Sequence, residues 1–153
     1  MPKVDGGIVI HRPVCEVFSY ATSAESHLQW VPGIRTAAYL DDGPLQIGSR
    51  WEAKVTFGGI NVDSVMELTE YIPNCRFAWR SVSGPVGSSG AYSFTQLGAR
   101  TTRFDYEFLS EDRIAKVVGA FALPVALRLL RREIRGRLER VKTTLETGEV
   151  RLA

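Results

Sequence analysis

The sequence predicts an α+β fold in which a curved antiparallel sheet of seven strands packs against a long C-terminal helix over an apolar pocket. Three observations support this prediction. Residues 34–109 alternate between apolar and polar side chains, and turn-forming clusters interrupt them every ~8–12 residues. Residues 113–147 repeat apolar side chains at helical spacing. A further strand and two short helical patterns come first in the chain.

The N-terminal region predicts one strand followed by two short helices. Residues 4–11 have the composition of a strand. Pro13 then fits the first turn of a helix, where its missing N–H is no loss, and apolar residues continue at helical spacing from Val14 to Phe18. Ser23 can cap a second helix over 24–30, which a proline–glycine pair ends.

The central region predicts an antiparallel meander, because short strands of period two are joined by explicit turn sequences. The turns include Asp41-Asp42-Gly43-Pro44, Gly58-Gly59 and the glycine-rich stretch 84–90. The predicted strands are 34–41, 49–57, 60–71, 76–83, 90–97 and 101–109.

The C-terminal region predicts one helix over 113–147 that Pro124 kinks, since proline removes a backbone donor. Gly148 ends it. Its apolar face is predicted to comprise Ile114, Val118, Phe121, Val125, Leu129, Ile134, Leu138, Val141 and Leu145.

Length and composition predict one globular domain over residues 1–153 in the cytoplasm. Hydrophobic residues at 44% and charged residues at 24% are ordinary for such a domain. No segment has the length or hydropathy of an export signal or a membrane span. Cys15 and Cys75 have no metal-ligand spacing and fit a reducing compartment, so two free thiols are expected, with one disulfide as the alternative. The net charge of +2 does not favour nucleic-acid binding.

Strand alternation divides the side chains into one set facing the helix and another facing water. The set predicted to face the helix is rich in aromatic residues and contains few polar atoms, as a ligand pocket would. The same pattern is also typical of a packed core. The predicted pocket residues are Trp51, Val55, Phe57, Ser64, Met66, Trp79, Ser81, Tyr92, Phe94, Tyr106 and Phe108. Gln96 is predicted to face the same way.

Chemistry that depends on an ionised side chain is not predicted for this pocket, because the strand carboxylates alternate outward. His11 and His27 are expected to be exposed, and neither a metal site nor a cofactor is indicated. No catalytic residue is assigned, with Tyr92 and Tyr106 the only weak candidates.

Several strings resemble the SRPBCC superfamily, the Bet v 1-like or START-like helix-grip proteins, and in particular its polyketide cyclase/dehydrase branch. They are Ile8-Val9-Ile10-His11-Arg12-Pro13-Val14, Val17-Phe18-Ser19-Tyr20, Leu28-Gln29-Trp30-Val31-Pro32-Gly33-Ile34, Gly48-Ser49-Arg50-Trp51 and the terminal helix. The resemblance implies a helix gripped against a curved sheet over a cavity. It also implies that the helix closes the pocket around Val117, Val118, Phe121, Ala122 and Val125.

The resemblance and the pocket composition together favour binding or transport of a hydrophobic small molecule such as a lipid, quinone, polyketide or sterol. A polyketide cyclase-like or dehydratase-like enzyme is the alternative. An imidazole or carboxylate at the centre of the pocket, or a space solidly filled by side chains, would argue against the carrier interpretation.

The basic run on the last helix provides a third hypothesis, an interaction protein that docks through this helix. Residues 128–142 contain only two acidic residues, Glu133 and Glu139. The basic residues of the same stretch are Arg128, Arg131, Arg132, Arg135, Arg137, Arg140 and Lys142. These side chains are expected to form a solvated face, or to contact anionic lipid or an acidic partner. The protein is expected to be a monomer or a homodimer.

Overall fold

The computed structural model describes residues 3–30, 34–40, 43–57, 60–83, 87–110 and 123–147. Seven antiparallel strands form one sheet in the order β1-β7-β6-β5-β4-β3-β2. The strands are β1 (Lys3–Ile10), β2 (Ile34–Tyr39), β3 (Arg50–Phe57), β4 (Ile60–Ile72), β5 (Arg76–Ser83), β6 (Ser88–Gly98) and β7 (Thr101–Ser110). The helices are α1 (Val14–Thr22), α2 (Ala24–Trp30) and α3 (Leu123–Thr147). The predicted α+β helix-grip fold is confirmed.

The sheet is a meander from β2 to β7, and β1 closes its far edge by pairing with β7. Register shifts interrupt the β2–β3, β4–β5 and β6–β7 ladders, including those between Leu68 and Glu70 and between Gln96 and Gly98. Such irregularities bend and twist strands. They account for the curvature that brings one face of the sheet around the helices.

Helix α3 packs on this concave face through Ile134, Leu138, Val141 and Leu145, each at most 4% exposed. Gly6 of β1 lies directly beneath it, because a Cβ atom there would lie 3.5 Å from Leu138 Cδ1. The helix therefore rests in ordinary van der Waals contact with the sheet. Within the described residues, no helix has both the length and the hydropathy to cross a bilayer.

The C-terminal end of α3 is anchored to the segment that joins β1 to α1. Arg12 Nε donates to the carbonyl of Leu145 at 2.8 Å, and its Nη2 donates to the carbonyl of Glu146 at 3.2 Å. Lys142 Nζ donates to the carbonyl of Val9 at 2.6 Å. The last carbonyls of a helix lack partners within the helix, so a guanidinium at this position both caps α3 and aligns it with β1.

The predicted apolar face of the terminal helix is wrong at Val125 and Leu129. Val125 and Leu129 are 56% and 60% exposed, whereas Leu127 and Leu130 are partly buried against the core. The predicted stripe stepped five residues from Leu129 to Ile134, which rotates ~140° away from one helical face. Residues 113–122 lie outside the described residues. Pro124 is the second residue of α3, so the predicted kink remains a prediction.

The inward side of the strands agrees with the alternation, apart from Gln96. Leu68, Phe77 and Phe104 are fully buried, but Gln96 is exposed. It lies beside the register shift at the end of β6, so regular alternation does not fix its environment.

Gly90 of β6 provides room for an indole ring. It pairs with Trp79 of β5, and a Cβ atom on Gly90 would lie 2.4 Å from Trp79 Cζ2. The ring consequently lies flat across the backbone of β6, where it contacts Tyr92 with ring centroids 4.7 Å apart.

Gly90→Ala is expected to lower the free energy of unfolding by about 1–3 kcal/mol, because the indole must leave a well-packed position. Chemical denaturation monitored by circular dichroism measures this change. Gly98→Ala on the same strand is the control, since its nearest atom, Thr101 Cβ, is 3.9 Å away. Equal effects of the two substitutions would contradict the proposed role of the Gly90 backbone.

Candidate functional site

Helix α2 presents Ser26, His27 and Trp30 to the concave face of the sheet, all at most 8% exposed. His27 Nε2 lies 3.1 Å from the Tyr92 hydroxyl oxygen, and its ring centroid is 5.0 Å from that of Trp30. The expectation that His27 is exposed is therefore wrong. His27 precedes Trp30 by three residues, and this spacing places both side chains on one face of the helix. The spacing was the sequence signal that His27 is buried with Trp30.

A second polar group reaches the same region from α3. Arg137 Nη1 donates to the Tyr106 hydroxyl oxygen at 3.3 Å, and Arg137 Nη2 donates to Glu133 Oε1 at 2.7 Å. The Arg137 side chain is only 15% exposed, so it does not belong to the solvated basic face predicted for this helix. Its Nε atom is buried without a hydrogen-bond partner in the described part of the chain.

Tyr92 and Tyr106 connect the two groups because they are directly paired across β6 and β7. Their ring centroids lie 5.1 Å apart, and each hydroxyl takes part in one of the two contacts just described. We call His27, Tyr92, Tyr106 and Arg137 the polar row. It spans the space between α2 and α3 on the concave face.

Burial sets the protonation of the polar row. Burial, aided by the nearby charge of Arg137, lowers the pKa of His27 to about 4. Burial also raises the pKa of both Tyr92 and Tyr106. Arg137 keeps its charge, and its pKa is raised because the effects of Tyr106 and Glu133 outweigh its desolvation. Near neutral pH the row therefore contains a neutral imidazole, two phenol groups and one guanidinium.

The two sides of the polar row differ in packing. On one side the inward residues are fully enclosed, as in the Phe94–Phe104 pair, whose ring centroids are 4.9 Å apart. On the other side Met66, Ser81 and Phe108 are only partly buried. We call this second side, with Trp51 and Trp79 among its residues, the open end.

The open end continues the register of the polar row. Phe108 follows Tyr106 on β7 and pairs with Gly90, over which the Trp79 ring lies. Trp79 is 6.1 Å from Tyr106 between ring centroids. An apolar surface therefore adjoins the buried hydroxyl groups directly.

The structure brings together most of the residues predicted to line the pocket. Buried on the concave side are Trp51, Ser64, Trp79, Tyr92, Phe94 and Tyr106, while Met66, Ser81 and Phe108 are partly buried and Val125 is exposed. Val118 and Phe121, with the neighbouring Val117 and Ala122, lie outside the described residues, as do the side chains of Val55 and Phe57. That these residues line a ligand site remains a prediction.

An ionisable group at this position changes the interpretation of the site. The strand pattern predicted no ionised side chain among the aromatic rings, yet an imidazole and a guanidinium lie there. An imidazole at this place argues against the carrier interpretation. The arrangement can instead donate and accept hydrogen bonds at a defined place beside an apolar surface.

Both cysteines lie away from this cluster. Cys15 and Cys75 are free thiols, as predicted, and both are exposed. In the described ranges, no group of three His, Cys, Asp or Glu residues is placed to hold a metal ion.

Comparison with known proteins identifies one matching family, described as polyketide cyclase/dehydrase and lipid transport, over residues 1–146. An uncharacterised 17.2 kDa protein of Streptomyces lincolnensis is 26% identical over 147 residues, covering 95% of this chain and 91% of the relative.

Two solved structures have similar folds. The Zhui aromatase/cyclase of Streptomyces sp. R1128 has a TM-score of 0.70 and 16% identity, with 95% of this chain and 93% of that chain covered. A START superfamily protein of Mycobacterium smegmatis has a TM-score of 0.65 and 17% identity, with 91% and 98% covered. At these identities the likeness shows the fold alone.

The buried imidazole predicts a specific loss of stability in acid. Between pH 6.5 and about 4 the unfolded chain binds a proton at His27 that the folded chain does not. Stability therefore falls as the pH falls through this window, by about 3 kcal/mol in total, and His27 contributes no further loss below it.

His27→Gln removes this proton and is expected to flatten the dependence of unfolding free energy on pH between 7 and 4. Urea denaturation at a series of pH values measures it, and His11→Gln, which removes an exposed histidine, is the control. A wild-type pH profile in His27→Gln would show that this imidazole is not buried in its neutral form.

Proposed function

The chain belongs to the polyketide cyclase/dehydrase and lipid transport family, as its SRPBCC resemblance predicted, and on this premise we propose that it binds a hydrophobic small molecule between the sheet and α3. The apolar body of the ligand lies on the open end, and a polar group of the ligand meets the polar row. This is selective binding rather than passive carriage. The observation that supports it is the position of the buried Trp79, whose ring contacts those of Tyr92 and Tyr106 and lies over Gly90, the strand partner of the partly buried Phe108.

The energetics favour such a two-part ligand. Transfer of an apolar surface onto Met66, Trp79 and Phe108 contributes roughly 25 cal/mol per Å² of apolar area removed from water. Polar groups of the row then decide the orientation of the ligand, because a buried donor without an acceptor is unfavourable by about 1–3 kcal/mol.

A second candidate function is a polyketide cyclase-like or dehydratase-like reaction, which the neutral His27 beside Tyr92 favours. A neutral imidazole can accept a proton, and a phenol supported by Arg137 can donate a hydrogen bond to a carbonyl oxygen. If a candidate substrate is found, Tyr92→Phe and Tyr106→Phe test this alternative directly. Unchanged turnover in both variants would exclude a catalytic role for the two hydroxyls.

We also infer a contact between α3 and anionic lipid. Arg128, Arg131, Arg132, Arg135 and Arg140 are exposed, and none has an ion-pair partner among the described side chains. The exposed Val125 and Leu129 lie one turn apart, beside Arg128 and Arg132 on the same outward face of the helix. Apolar side chains flanked by arginines suit a lipid surface better than an acidic protein, because they can enter the headgroup region.

Filling the open end is expected to weaken ligand binding. Met66→Trp places a larger side chain there and should weaken the binding of the neutral reporter N-phenyl-1-naphthylamine about tenfold, which corresponds to about 1.4 kcal/mol. Fluorescence titration measures the dissociation constant. Val82→Trp, at an exposed position on β5, is the control.

Unchanged affinity in Met66→Trp would place the reporter elsewhere on the protein. Native mass spectrometry of protein purified from its own host, followed by extraction, then identifies the natural ligand. Protein that is consistently empty and does not bind the reporter would contradict the proposal.

The lipid contact is tested with vesicles of phosphatidylcholine, with and without one-third phosphatidylglycerol. Wild type is expected to sediment only with the anionic vesicles and to dissociate in about 0.5 M salt, where screening is strong. Two variants should each bind at least fivefold more weakly: Arg128→Gln/Arg132→Gln/Arg135→Gln and Val125→Ser/Leu129→Ser. Each arginine near such a surface contributes about 1 kcal/mol. The two apolar side chains contribute by entering the headgroup region.

Arg80→Gln/Arg100→Gln/Arg103→Gln removes the same charge from the sheet and its turn, away from α3, and is the control. Equal weakening in this control would show that vesicle binding depends on net charge and not on α3. Binding of wild type to neither kind of vesicle would favour an acidic protein partner instead.

A further inference from the structure

The hydrogen bonds of the polar row leave donors without acceptors. Tyr106 Oη accepts from Arg137 Nη1, so its own O–H must point elsewhere, and it has no acceptor among the described residues. Arg137 Nε–H is buried and likewise has none there. The Glu133 carboxylate is already engaged by Arg137 Nη2. The corner between Tyr106 and Arg137 is therefore rich in donors.

The other half of the row does not supply the missing acceptor. Tyr92 and His27 are bonded to each other, and one hydrogen is shared between the hydroxyl oxygen and Nε2. A neutral imidazole and a phenol carry two such hydrogens in total, so one donor remains whichever tautomer is present. No described hydrogen bond joins Tyr92 to Tyr106, although their rings are in contact.

On the basis of these unpaired donors, and resting on the function proposed above, we propose that the ligand presents a carbonyl oxygen to the Tyr106 hydroxyl beside Arg137. A ketone, a quinone or an ester would supply such an oxygen. A carbonyl oxygen has two lone pairs and no hydrogen, which complements the two donors without a described acceptor, the Tyr106 O–H and the Arg137 Nε–H. Arg137 strengthens the interaction, because a phenol that accepts from a guanidinium is a better donor in turn.

The same accounting predicts discrimination against the reduced form of the ligand. An alcohol oxygen can still accept from Tyr106, but its own hydrogen then needs an acceptor in a buried corner where Glu133, Tyr92 and His27 already take part in described hydrogen bonds. Sites built around buried polar groups reject analogues that leave one such group unpaired. The protein should therefore bind a ketone at least tenfold more tightly than the alcohol with the same carbon skeleton.

Three naphthalene derivatives of matched shape test the proposal: 2-acetylnaphthalene, 1-(2-naphthyl)ethanol and the hydrocarbon 2-ethylnaphthalene. Equilibrium dialysis against wild-type protein gives the three dissociation constants. The expected order places the ketone first by at least tenfold, with the hydrocarbon bound through the open end alone.

Tyr106→Phe is expected to reduce the ketone-to-alcohol ratio to about two or less, with the affinity for the hydrocarbon within about twofold of wild type. Arg137→Lys keeps the charge beside Glu133 but removes Nε, and it should reduce the same ratio partially. Tyr39→Phe is the matched control, because it removes a tyrosine hydroxyl that bonds to the Thr22 carbonyl at 2.7 Å and makes no described hydrogen bond to the polar row.

The outcomes separate this inference from the proposed function. Binding of the hydrocarbon with equal affinity for ketone and alcohol would overturn the carbonyl inference and leave the hydrophobic site in place. Failure of all three compounds to bind would overturn both. A ratio that falls equally in Tyr106→Phe and Tyr39→Phe would trace the discrimination to loss of packing and would also overturn the inference.

Discussion

The pairing register of β6 with β7 is the constraint on which the site depends. It places Tyr92 opposite Tyr106 with both rings on the concave face. A slip of β6 by one residue would turn Tyr92 toward solvent while Tyr106 stayed on the concave face, since side chains alternate along a strand. His27 on α2 and Arg137 on α3 reach these hydroxyls from different helices. The polar row therefore forms only if each helix is correctly placed with respect to the tyrosine pair.

Charge burial explains why this region is both costly and specific. A guanidinium that is mostly enclosed requires a partner, and Glu133 one turn earlier on α3 provides it. The pairing is incomplete, because one N–H remains without an acceptor in the described structure. Partly satisfied polar groups are unfavourable for stability. Their presence beside an apolar surface is consistent with a site whose hydrogen bonds are completed by a bound molecule.

The sequence predicted the sheet well and the polar row poorly. Alternation places Trp79, Tyr92 and Tyr106 on the concave face because period two is a local property of each strand. A helix instead requires the correct phase over many turns, and one step of five residues put Val125 and Leu129 on the wrong face. Arg137 lies three residues after the buried Ile134 and four before the buried Val141, so helical spacing places it beside the apolar face. Its partner could not be predicted, because the Tyr106 hydroxyl comes from a distant strand.

The overlap of the Trp79 indole with the backbone of Gly90 has an evolutionary consequence. Neither position is free to vary alone, because any side chain at 90 requires the ring to leave and loss of the ring uncovers the strand beneath it. Among homologous chains the two residues should change together or not at all. A glycine within a strand often marks the close approach of another group, and Gly90 thus records the presence of a tryptophan on the neighbouring strand.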